Sequence, residues 1–180
     1  MSPQVPEGRR KYRMLLSVLG TAAFLVIVPG LVIGVVPWLT SGWRTHARFP
    51  GSVSLRILGG LLILAGIVVL LNCFARFALQ GLGTPAPAYP TAHLVVKGFY
   101  QYVRNPMYVS VLAALLGQSL LFLSSGILIY ALVVLLFVHL FILLYEEPTL
   151  RNTFGEEYAT YCANVPRWFP RLTPWRADHS

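Results

Sequence analysis

The sequence predicts an all-α integral membrane protein: four transmembrane helices with both termini cytoplasmic, plus a C-terminal amphipathic interfacial helix. Three observations predict it. Hydrophobic residues make up 56% of the 180 and charged residues only 11%, with a mean hydropathy of +0.66. Soluble domains carry about 25% charged residues, so a soluble monomer would have too few to cover its surface. Asp, Glu, Lys and Arg are absent from residues 14–43, 57–75 and 105–145. Finally, the basic residues are sorted. Arg9, Arg10, Lys11, Arg13, Arg76, Lys97, Arg104, Arg151, Arg167, Arg171 and Arg176 fall on one side of the predicted spans, and only Arg44, Arg48 and Arg56 on the other.

A bilayer core needs about 20 apolar residues per helix. The first two charge-free stretches each supply one, over about 14–38 and 54–78. Four basic residues precede the first helix, as in a signal peptide, but its apolar run is too long for one and it reads as a retained anchor. Pro29-Gly30 should kink it. The third stretch would measure about 60 Å as one helix, twice the membrane, so it must fold back. Ser124-Ser125-Gly126 is the expected break, giving helices over about 107–123 and 127–146. Positive charge concentrates on the cytoplasmic side of membrane proteins, which places both termini and the middle loop there. The formal charge of +8 therefore reads as an orientation signal, not a nucleic-acid footprint.

Beyond Pro148, Leu150, Phe154, Tyr158 and Tyr161 recur on one face of an amphipathic helix, expected to lie along the cytoplasmic interface. Val165-Pro-Arg-Trp-Phe-Pro170 then supplies Trp and Arg anchors. Residues 1–79 read as a two-helix anchor region and residues 80–180 as the core, together one compact unit.

The polar residues cluster. Four of the six acids, Glu146, Glu147, Glu156 and Glu157, directly follow the last span. Glu147 and Arg151 are spaced to pair on a helix, yet a carboxylate at a membrane boundary needs a partner, and a cationic ligand would suit. The middle loop carries Tyr89, Phe99, Tyr100, Tyr102 and Tyr108 with His93, Lys97 and Arg104, which is either an interfacial belt or a binding surface. Asn105 is placed to cap a helix begun by Pro106, and the free amides there with Arg104 could receive a carboxylate. His139, seven residues before Glu146, is either a structural hydrogen-bonding group or a substrate-facing base. Cys73 reads as a lipid-facing packing residue and Cys162 as part of the amphipathic tail. No metal-ligand spacing links the histidines and cysteines, no phosphate-binding loop is present, and Gly81 and Gly83 do not make a dinucleotide fingerprint.

Gly98-Phe-Tyr-Gln-Tyr-Val-Arg-Asn-Pro-Met-Tyr108 resembles the Gly-x-Tyr-x-x-x-Arg-His-Pro-x-Tyr signature of the isoprenylcysteine carboxyl methyltransferase family. Glu146-Glu147-x-x-Leu150, Phe154-Gly155-x-x-Tyr158-x-x-Tyr161 and Val165-Pro166 resemble its second signature, and phospholipid methyltransferases are similar. The resemblance, over roughly residues 80–170, implies a membrane methyltransferase using S-adenosylmethionine, bound where the last two helices reach the cytoplasm. The binding residues it implies are His93, Gly98, Tyr100, Tyr102, Arg104, Asn105, Pro106, Tyr108, Glu146 and Glu147, with Arg104, Glu147 and His139 as catalytic candidates. Asn105 stands where many members have His and cannot titrate. The expected acceptor is a hydrophobic or lipid-like thiol, carboxylate or amine, and the expected location a bacterial inner membrane with the site facing the cytoplasm. Membrane lipids are expected partners, with no nucleic acid and no metal. A small-molecule thiol or amine methyltransferase, or a non-catalytic transport or assembly protein, remain alternatives. A transporter would place ionisable groups near mid-membrane, where only His139 lies deeper than the boundary.

Overall fold

The computed structural model describes residues 27–44, 52–80 (backbone alone for 77–80), 94 and 96–176. The N-terminal basic residues, the first half of the first predicted helix, His93 and Tyr89 lie outside them. The described residues form helices, turns and irregular segments, with no strand among them.

Helix α1 covers Ile27–Ser41. Its middle, Gly30–Val35, is a π-helical segment that begins directly after Pro29, so the expected distortion takes the form of a widened turn. Pro37 has no N–H to offer the Ile33 carbonyl four residues earlier. Gln118 Nε2, from a buried side chain, donates to that carbonyl at 2.8 Å. In an apolar surround an unmet carbonyl is costly, so this bond fixes α1 against the helix that carries Gln118.

Helix α2, Ser52–Gln80, and helix α3, Pro106–Phe122, form the closest pair. Glycines permit it. A Cβ on Gly59 would stand 2.6 Å from the Gly117 carbonyl oxygen, and one on Gly66 would stand 2.6 Å from that of Ser110. Small residues two turns apart let the backbones touch, the usual device where no hydrophobic effect drives helices together. Cys73 lies on this inner side: it is buried with Leu70 and Phe74, against the lipid-facing position expected for it. A lipid-facing reading treated all apolar residues of α2 alike, and the glycines decide which face turns inward.

Leu123, with φ 51°, closes α3, and Ser124 accepts the Ile127 N–H at the start of helix α4, Ser125–Phe141. This is the reversal expected in the longest charge-free stretch. Beyond Phe141 the structure departs from expectation. The chain does not break at Pro148. A π turn over Ile142–Glu146 leads straight into helix α5, Glu147–Asn164, whose second residue is that proline. Proline is tolerated in a first turn, and the widened turn before it lets the helical path continue. The change of direction comes at Gly155, φ 51° and ψ −123°.

Residues 165–176 are irregular and run back over the segment that precedes α3. The Arg104 N–H donates to the Pro166 carbonyl (2.9 Å), that of Arg171 to Tyr102 (2.9 Å) and that of Trp175 to Gln101 (3.0 Å). Tyr158, Tyr161 and Val165 are buried together, with Leu150, Phe154, Cys162, Trp175, Leu94 and Val96 packed on them. The aromatic face read from Leu150, Phe154, Tyr158 and Tyr161 is thus the face that binds this strap.

The apolar helices are largely uncovered. Only 28% of the apolar window of α2 and 17% of that of α4 is buried, while Leu132, Val133, Leu136, Phe137 and Leu144 face outward. Surfaces of that kind call for lipid and not water.

Candidate functional site

The site forms where the start of α3, the end of α4 and the strap meet. It begins with a left-handed residue. Gly98, φ 64°, opens a short 3-10 turn over Gly98–Gln101, and a Cβ there would collide with the Arg76 guanidinium. Arg76 is itself held by Nε donating to Asn72 Oδ1 at 2.9 Å. The left-handed backbone favours glycine, and any added carbon would also have to displace the Arg76 guanidinium. Gly98→Ala is expected to cost about 1–3 kcal/mol, read as a lower melting temperature in detergent, with Gly60→Ala, where nothing lies within 4 Å of the added carbon, as the neutral control.

The turn delivers Arg104 to the cluster at its centre. Arg104 Nη1 donates to Glu147 Oε1 at 3.1 Å and to Cys162 Sγ at 2.8 Å. Arg167, on the strap, grips the same carboxylate with both arms, Nε to Oε1 at 2.7 Å and Nη2 to Oε2 at 3.0 Å. Glu147 is buried, and only paired carboxylates are tolerated there. Burial would raise its pKa, but the hydrogen bonds from Arg167 and the charges of Arg104, Arg167 and Arg151 outweigh it and hold the carboxyl below its usual 4.5. The hydrogen bond to Glu147 in turn lifts the Arg167 guanidinium above its ordinary value. A carboxyl depressed in the native state contributes stability that is complete above its unfolded value and is lost as pH falls through the native one. Melting temperature should therefore hold from neutral pH down to about 4.5 and then fall, and Glu147→Gln should remove much of the fall.

Tyr108, one turn into α3, donates to Glu146 Oε2 at 2.9 Å, so the two adjacent glutamates are used differently. Tyr100 sits beneath: Tyr161 Oη donates to its carbonyl at 2.7 Å, and burial drives its phenol well above the usual value, which keeps the hydroxyl protonated. Pro106 starts α3 as expected. Asn105 occupies the N-cap position but makes no side-chain cap; its Nδ2 instead donates to the Arg167 carbonyl at 3.3 Å. Its amide therefore fastens the strap, and the sequence had assigned it to the helix start.

The structure thus brings Tyr100, Arg104, Asn105, Pro106, Tyr108, Glu146 and Glu147 together. Tyr102 lines an apolar cleft instead. His139 accepts the Trp168 indole N–H at Nδ1 (3.3 Å) and stacks obliquely with that ring. Arg167, Cys162 and Trp168 were missed as site residues. In sequence Arg167 reads as a membrane anchor, and the one signal for a deeper role is its place between Pro166 and Pro170, which cannot continue the preceding helix. Among the described residues no group of His, Cys, Asp and Glu is suited to a metal.

Apolar helices left largely uncovered, gathered under a charged cluster at one end, mark an integral membrane protein. Within that class the chain belongs to the phospholipid methyltransferase family, whose model matches residues 55–157, more than half of its length. The match includes α2, α3, α4, Arg104, Glu146 and Glu147, and stops before the strap. A comparison with curated proteins gives no match.

Proposed function

We propose that the protein transfers a methyl group from S-adenosylmethionine to a hydrophobic or lipid-like acceptor, a thiol, carboxylate or amine, at the cytoplasmic face of a bacterial inner membrane. In this reading four helices span the bilayer with both termini cytoplasmic. Residues 1–79 anchor the chain, and residues 80–180 carry the chemistry. The observation that carries the reading is the cluster of Arg104, Glu147 and Arg167, which joins two sequence signatures 43 residues apart within a methyltransferase family.

The donor set fits the cofactor. Arg104 Nε is buried without a hydrogen-bond partner among the described residues, and Glu146 accepts from the Tyr108 hydroxyl through Oε2. A ligand bearing a carboxylate beside an ammonium and a ribose would answer both. Arg104 would hold the carboxylate through charge-assisted hydrogen bonds. Glu146 suits the ammonium or the ribose hydroxyls better than Glu147, which two guanidiniums already neutralise. Tyr100 and Tyr108 offer ring faces for a cation. When bound, S-adenosylmethionine supplies an activated methyl group. The protein's part is then to align the acceptor and keep water out, the strap over residues 100–104 serving as the cover. A thiolate or carboxylate acceptor needs no base. An amine does, and His139 could serve only after giving up Trp168.

The test is calorimetric titration of S-adenosylmethionine into detergent-purified protein. Saturable binding is expected. Its absence from a well-folded sample would sink the reading.

A further inference from the structure

Residues 102–106 serve two environments. Arg104 and Asn105 reach the charged cluster and the strap. Tyr102, Val103 and Pro106 line a cavity of about 310 Å³, completed by Phe99, Val109 of α3, Val69 of α2 and Pro170 of the strap. Apart from the Tyr102 hydroxyl, no side chain of this lining carries a polar group among the described residues. The cavity can therefore hold neither a phosphate nor an ammonium head; it suits hydrocarbon.

Its surroundings say where that hydrocarbon comes from. Val68, which precedes Val69 on α2, and Leu71, beyond the buried Leu70, face outward. Phe169 and Leu172, on either side of Pro170, are 84% and 99% exposed. Large apolar side chains left this bare beside an apolar cavity mark an edge open to lipid, not water. The size limits the occupant further. At roughly 30 Å³ for each water-sized group, the volume takes about ten methylenes, the scale of a single chain.

We infer that this cleft is the acceptor subsite: it takes a single aliphatic chain from the membrane, filling about ten carbons, and leaves the nucleophilic head beside Arg104. The inference rests on the methyltransferase reading and goes beyond it in naming where the acceptor lies and how many chains are gripped. The second chain of a two-chain lipid would stay in the bilayer, along the outward faces of Val68 and Leu71. The cleft, and not the head group, then sets preference by chain shape.

The experiment uses the full chain in lipid nanodiscs, with a single-chain lysophospholipid carrying a diazirine about ten carbons from its head as the probe. Illumination followed by peptide mass spectrometry should place adducts chiefly on Val69, Val109 or Phe99. Val69→Trp and, separately, Val109→Phe should each lower the cleft adducts at least tenfold while S-adenosylmethionine affinity by calorimetry stays within twofold. Two variants on different helices guard against one that fails to fold, and the retained cofactor binding reports folding for both. Adducts spread over the outward residues of α4 with none enriched at the cleft would overturn the inference, as would cleft adducts unchanged in both folded variants. Either result can occur with cofactor binding intact, and so is distinguishable from failure of the methyltransferase reading, in which the wild type binds no S-adenosylmethionine.

Discussion

Arg104→Ala should weaken S-adenosylmethionine binding by about 10- to 100-fold, the loss expected when hydrogen bonds to a charged group worth roughly 1.5–3 kcal/mol are removed. The stability cost should be smaller than that of most broken buried ion pairs, and the structure says why. Glu147 loses one donor but keeps the two-armed grip of Arg167, at 2.7 and 3.0 Å, so no carboxylate is stranded. The variant should therefore fold, melt a few degrees lower, and lack cofactor affinity. Calorimetry and a thermal melt on the same sample separate the two effects. An unchanged dissociation constant would remove Arg104 from the site.

The largest structural effect is expected from Glu147→Ala. Here both guanidiniums lose their shared partner and are left facing each other at a partly buried junction. Breaking a buried pair from one side costs about 3–5 kcal/mol because the remaining charge is uncompensated, a drop in melting temperature on the order of 10 °C for a chain of this size. The cause can be isolated. If stranded charge is responsible, adding Arg167→Ala to Glu147→Ala should restore part of the lost stability, so that the two substitutions are far from additive. If the double variant is the sum of the singles, the cluster is not the unit described here.

The charged junction and the helices differ in how far the sequence reveals them. The apolar stretches predict both ends of α2 and α3 and the start of α4 within two residues, since charge-free length and a Ser-Gly turn are local signals, while the expected end at 146 falls at the close of the π turn and not of α4. Arg104, Tyr108, Glu146 and Glu147 were found because they stand in motifs. Arg167 was not, because nothing local distinguishes an arginine that turns back to Glu147 from one that anchors at lipid. The same limit explains Asn105, whose helix-start position is legible and whose bond to the Arg167 carbonyl is not. The expected separation of the last span, ending at 146, from the amphipathic helix beyond Pro148 fails for another reason. Proline forbids one hydrogen bond, and a π turn placed just before it removes the need for that bond. Which face of α2 turns inward was likewise beyond hydropathy, as Cys73 demonstrates, because two glycines and not the apolar residues select it.

The Arg167 clasp has a consequence in time. A chain emerges from the ribosome N-terminus first, so Arg104 and then Glu147 leave it before Arg167 does. During that interval the segment bearing Tyr100 and Tyr102 lacks the backbone bonds it later receives from residues 166–175. The polar end of the protein is thus finished last, by a stretch that crosses back over what was made some sixty residues earlier. A released chain that ended ahead of Val165 would hold all of its apolar helices and yet lack the bonds that close its polar end.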